Sequence, residues 1–155
     1  MKGKLFALAV AAAALTLYGT QALGSSGAQP AHGHLGSHAV TGPDCTSPVG
    51  LCTAGQLEGT VAGDFAFTAE SLTPSDTPGV FFYTGHIVVH TNQGDVTCQD
   101  AGAYSFADAS GPVVDLCTIV SGTGDWAGTT GNIRIHGVFT LSGGGDSRYE
   151  GLISG

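Results

Sequence analysis

The chain reads as all-β, a single antiparallel sheet rolled into a closed barrel and stapled by disulfides. Three observations lead there. Through most of the chain after residue 57 the apolar residues recur with period two, and no stretch spaces them as an amphipathic helix would. There are 26 glycines, and the connections between the periodic runs are only a few residues long, which suits hairpins. A regular meander must then stack on itself or close, and closure is what removes its exposed edges.

The N-terminus stands apart from this pattern. Lys2 and Lys4 precede an uncharged run from Leu5 to Tyr18, followed by small residues at Ala22, Gly24, Ser25 and Ser26. A charged start, an apolar run and a small-residue cleavage region are the marks of a secretory signal, assigned here to 1–22. The run is too short and too soon relieved by polar residues for a membrane span, so no membrane insertion is expected. From 23 to 43 the composition is Gly, Ala, Ser, Pro and His with little periodicity, which reads as a flexible leader. The barrel domain is accordingly set at 44–155, one domain with one core.

Leu57, Val61, Phe65 and Phe67 fall on one face and Glu58, Thr60, Asp64 and Thr68 on the other, a long strand bent at Gly59 or Gly63. The Pro, Asp and Gly of Leu72 to Gly79 mark a loop, after which Val80 to Thr91 is rich in β-branched and aromatic residues. In that run Phe81, Tyr83, Ile87 and Val89 face one way and His86 and His90 the other. Asn92 to Asp95 turns into Val96 to Phe106, which pairs with Val113 to Ser121. Ile133, Ile135, Phe139 and Leu141 alternate with Arg134, His136 and Thr140, and Gly143 to Asp146 turns into a last run from Arg148 to Ile153. That makes six strand runs, some long enough to break in two at a glycine.

Four cysteines in an exported chain imply two disulfides, with three connectivities open. Cys45 and Cys52 are close enough to staple a local loop around Pro48 and Gly50, which leaves Cys98 to pair with Cys117. Their midpoint falls at Ala107 and Asp108, beside the turn-rich Asp108 to Pro112, so they suit opposite positions on one hairpin. Without a Cys-x-x-Cys they read as structural staples.

Charge narrows the partners. Beyond residue 22 only Arg134 and Arg148 stand against 12 acidic residues. Such a surface repels nucleic acid and anionic lipid.

The segment Gly122-Thr123-Gly124-Asp125-Trp126-Ala127-Gly128-Thr129-Thr130-Gly131, followed by a strand and then Gly144-Gly145-Asp146-Ser147-Arg148-Tyr149-Glu150-Gly151, resembles the glycine-rich pattern of allene oxide cyclase-barrel-like proteins and, more loosely, of dirigent proteins. The likeness is strongest from Ile119 to Gly151. It implies an eight-stranded antiparallel barrel with a central cavity, often assembled as a trimer. The characterised members steer cyclisation or radical coupling of small lipophilic compounds. The match covers scaffold glycines and carries over no catalytic residue, and activity does not follow from fold.

Several constellations bear on chemistry. Gly122 to Ala127 satisfies a dinucleotide fingerprint in spacing, but more glycine and a strand follow where a helix is required. No phosphate-binding Gly-Lys-Ser/Thr and no Gly-x-Ser-x-Gly elbow occurs. If Cys98 opposes Cys117, the same register sets Asp100 against Asp115, a pair that needs a shared proton, a cation or separation by solvent; these two are the candidate metal ligands. His32, His34 and His38 space imidazoles as a transition metal would accept them. His86, His90, Arg134 and His136 lie opposite the larger apolar residues of their strands, on a face that is either solvent or cavity lining. In the second geometry Arg134 and His136 would bind a carboxylate or act in proton transfer with Asp115 or Glu58, and His86, His90, Arg134 and Trp126 are the candidate ligand contacts. Tyr83, Tyr104, Trp126 and the phenylalanines otherwise read as core and barrel-mouth packing.

The expectation is a secreted barrel that binds a small apolar molecule or partner without turnover and without a cofactor. One alternative is a cyclase- or isomerase-like enzyme in which positioning does most of the catalysis. Another is an extracellular structural module, which would need no cavity.

Overall fold

In a computed structural model, which describes residues 27–106, 110–140, 142 and 144–155, eight strands form one closed antiparallel barrel in simple sequence order. They are β1 (Gln29–Val40), β2 (Cys52–Gly59), β3 (Gly63–Pro74), β4 (Val80–Thr91), β5 (Gly94–Ser105), β6 (Gly111–Gly122), β7 (Thr130–Thr140) and β8 (Gly144–Ser154). The segment 1–22 read as a signal lies outside the described residues. So do Ala107 and Asp108 at the expected hairpin midpoint, and Leu141 and Gly143 near the last turn.

The alternation expected for β4 holds: Tyr83, Ile87 and Val89 are buried while His86 and His90 point outward. The long strand expected around Leu57 is two strands, β2 and β3, folded back at Gly59 to Gly63. Leu57, Val61, Phe65 and Phe67 are all buried, so the face assignment survives the break.

The flexible leader assigned to 23–43 requires correction, and with it the domain boundary at residue 44. Gln29–Val40 is the strand that closes the barrel, pairing with β2 from Gly33↔Gly59 to Val40↔Cys52 and with β8 from Gln29↔Ile153 to Ser37↔Gly145. Its periodicity is faint because its inward positions, Ala31, Gly33, Leu35, Ser37 and Ala39, are mostly small. The space is needed by Tyr149 of β8, whose ring crosses Gly33 so closely that a Cβ there would lie 2.5 Å from it. The histidines at 32, 34 and 38 are all exposed on the outer side of β1.

Two disulfides form, Cys45–Cys52 and Cys98–Cys117. The first ties the β1–β2 loop to the outer wall. The second bridges β5 and β6 inside the barrel, where both sulfurs belong to the core. The cysteines are not directly opposite, however: Cys98 faces Ile119, and Asp100 faces Cys117, with a register shift between Thr97 and Cys98. The bridge therefore runs diagonally across the ladder, with the Cα atoms 5.3 Å apart.

The barrel interior is two different halves. Toward the end that carries the β2–β3, β4–β5 and β6–β7 turns it is packed with Leu57, Val61, Val89, Val96, Ile119, Ile133 and Tyr149. Tyr149 is 2% exposed, and its hydroxyl both accepts from Val61 N–H (2.9 Å) and donates to the Val61 carbonyl (3.3 Å). A 3-10 turn, Gly124–Trp126, lays the half-buried Trp126 over this end, with its indole N–H donating to Thr91 Oγ1 at 3.0 Å.

Candidate ligand cavity

The other half of the interior is not filled. Its walls are inward residues of all eight strands, mostly apolar, with Phe65, Phe67, Tyr104 and Phe139 prominent, and they enclose a cavity of about 70 Å3. Phe67 meets Tyr83 edge-on with centroids 5.6 Å apart, and Tyr104 meets Phe139 in the same manner at 5.9 Å, with its hydroxyl donating to the Phe139 carbonyl at 2.8 Å. These rings form rigid walls, each held on at least one side by another aromatic ring.

Two carboxyls open into this apolar space, Asp100 from β5 and Asp115 from β6. Period-two alternation puts them there, since Cys98, Asp100, Gly102 and Tyr104 share the inner face of β5 and Val113, Asp115 and Cys117 that of β6. They are not directly opposite, as the expected register had it. Asp115 faces Gly102, and Asp100 lies two positions along, facing Cys117. Like charges set squarely opposite each other on a sheet are unfavourable, and the offset avoids that contact. Gly102 makes the room: a Cβ there would lie 2.0 Å from Asp115 Oδ1.

The two acids differ in their surroundings. Asp115 is partly buried and accepts a hydrogen bond from the Tyr83 hydroxyl. Asp100 is 1% exposed, and neither of its oxygens has a hydrogen-bond partner. Burial pushes both carboxyls up to about 7, because the charged form loses its hydration and gains little in exchange. Each shift comes from burial.

The remaining predicted site residues lie elsewhere, and the cavity-lining geometry expected for them needs correction. His86, His90, Arg134 and His136 all occupy the outer wall. His86 Nδ1 is 3.5 Å from Glu70, His90 Nδ1 is 2.9 Å from Asp95, and Arg134 pairs with Glu150, holding that carboxyl below its ordinary value. Arg134 and Asp115 cannot meet, because Arg134 sits opposite Leu116, on the other face of the sheet from Asp115. Glu58 is exposed on the outside of β2, and Trp126 covers the packed end, away from the cavity. Of the residues assigned to proton transfer only Asp115 reaches the cavity, where Asp100, assigned to a metal, joins it. Among the described residues no group of three or more His, Cys, Asp or Glu is placed to hold a metal ion. Tyr83, expected only to pack, is the polar partner that sequence reasoning misses; its place on the inner face of a strand is the available signal.

The fold and cavity thus define a class, a small closed meander barrel with an acidic, apolar-walled interior. Comparison with protein-family models, curated proteins and solved structures found no match to this chain. Among the described residues no helix is long and apolar enough to cross a membrane.

Proposed function

We propose that the protein is a secreted binding barrel that holds a compact, largely apolar small molecule in its unfilled half without turning it over. The observation that carries this reading is Asp100, a fully buried and unpartnered carboxyl turned into an apolar cavity. A barrel built only to be stable would fill such a space with side chains, as the opposite half does, and would not leave a polar group orphaned there. At roughly 10–15 Å3 for each water-sized occupant, a volume of about 70 Å3 suits a ligand of about five heavy atoms. Secretion is supported by the N-terminal pattern and by two disulfides, which persist in oxidising compartments. The likeness to allene oxide cyclase-type barrels supports the same view of a cavity as the working part.

Native mass spectrometry of protein purified from its own culture medium tests the reading. A retained adduct of small mass, lost on unfolding, is the expected result; a bare mass, together with no thermal shift from any small apolar compound, would overturn it. The enzyme reading is favoured by one observation, two carboxyls that line the same apolar cavity and that burial pushes up to about 7, the range in which a general acid or base works. It requires that a bound compound be chemically changed on incubation, and that Asp115→Asn stop the change.

A further inference from the structure

Deepening the binding reading on which it rests, we propose that the ligand of this cavity is a compact primary alkylamine, its ammonium seated between Asp100 and Asp115 and its hydrocarbon laid against the rings of Phe65, Phe67 and Phe139. The argument begins with what can satisfy Asp100. A carboxylate accepts through two oxygens with about four lone-pair sites, and here none is used. A neutral apolar ligand would leave both oxygens orphaned, and an anionic one would add repulsion from Asp115. A metal ion is the poorer fit to walls that are mostly apolar, and among the described residues no group of three or more His, Cys, Asp or Glu is placed to hold one. A primary ammonium carries three N–H donors on a single atom, enough to bond both carboxyls at once. Its alkyl chain then meets the apolar wall, and the aromatic faces add attraction for the cation.

The titratable groups that line the space are Asp100 and Tyr104 on β5, Asp115 on β6 and Tyr83 on β4, while β1, β2, β3, β7 and β8 contribute apolar and hydroxyl side chains. Among the described residues no cationic side chain competes for the pair, because Arg134, Arg148 and the histidines of the barrel strands face outward. Below about pH 7 the carboxyls keep a proton, which the incoming ammonium, itself already protonated, displaces to the buffer. Binding therefore strengthens as pH rises from 6 to 8 and releases protons to the buffer.

Isothermal titration calorimetry on the whole protein compares n-butylamine, n-butanol and butyrate, in buffers of different ionisation enthalpy. The inference expects the amine to bind at least tenfold more tightly than the alcohol, butyrate to bind more weakly than either, and proton release to accompany the amine. In Asp100→Asn the preference for amine over alcohol should fall to near unity while alcohol binding persists. Should that variant fail to fold, the buffer dependence of the unaltered protein decides the matter. Equal binding of amine and alcohol, or amine binding without proton release, overturns the amine and leaves the small-molecule reading standing. Failure of all three to bind also overturns the amine, while the small-molecule reading is decided by the native mass spectrum and thermal shifts.

Discussion

Asp100 carries the least comfortable side chain in the molecule, and its discomfort depends on pH. In the unfolded chain an aspartate loses its proton near 3.9, whereas in the barrel Asp100 and Asp115 hold theirs up to about 7. Between those values the native state binds more protons than the unfolded one, so the contribution of these carboxyls is fully present below about pH 4 and is lost as pH rises through 7. Asp100→Asn removes the charge without removing the shape. The variant should match the parent near pH 3 and exceed it at pH 8 by at least about 1.4 kcal/mol, the equivalent of one pKa unit. Paired urea titrations at the two pH values measure this. A variant less stable than the parent at pH 8 would mean that the carboxylate has a partner that water or an ion supplies.

At the scale of elements, the β5–β6 hairpin sets the site, and its disulfide sets the hairpin. The bridge closes a loop across a sequence separation of 19, against 7 for Cys45–Cys52. In the chain-entropy account of cross-links, loops of these sizes are worth about 3 and about 2.5 kcal/mol. Replacing Cys98 and Cys117 together by serine should therefore cost more stability than the same change at Cys45 and Cys52, and it should also admit water to Asp100, whose raised value rests on burial. Denaturant midpoints rank the two double variants, and in the first alone Asp100→Asn should no longer bring its pH-dependent gain in stability. What was legible in the sequence follows the same division. The strand β4 could be read to its ends because Tyr83, Ile87 and Val89 are large and alternate cleanly. The sulfur pairing was legible because Cys45 and Cys52 are neighbours. The register was not, because the irregularity between Thr97 and Cys98 depends on how β5 meets its partner and leaves no local mark. Strand β1 escaped for a related reason: Gly33 has no side chain so that Tyr149, more than a hundred residues away, can fill the space above it.

For the whole molecule the decisive physical fact is closure. With β1 in place each strand has two hydrogen-bonded neighbours, and the two that would otherwise be edges, β2 and β8, are joined through it. Without it their backbone N–H and C=O groups face water and other chains, a template for edge-to-edge pairing. The loss reaches the interior as well, since Leu35 and Ser37 of β1 line the cavity and Ala31 is buried in the core. A chain beginning at Gln29 should unfold in one cooperative transition, with far-ultraviolet circular dichroism of sheet and a midpoint close to that of the longer protein. A chain beginning at Asp44 should lose that transition and run as aggregate on size exclusion. Because the missing strand makes mostly main-chain contacts along two edges, a peptide of residues 29–43 added during refolding should restore it, as strand addition does elsewhere. A 44–155 chain that folds alone, and gains nothing from the peptide, would show that the barrel closes without its first strand.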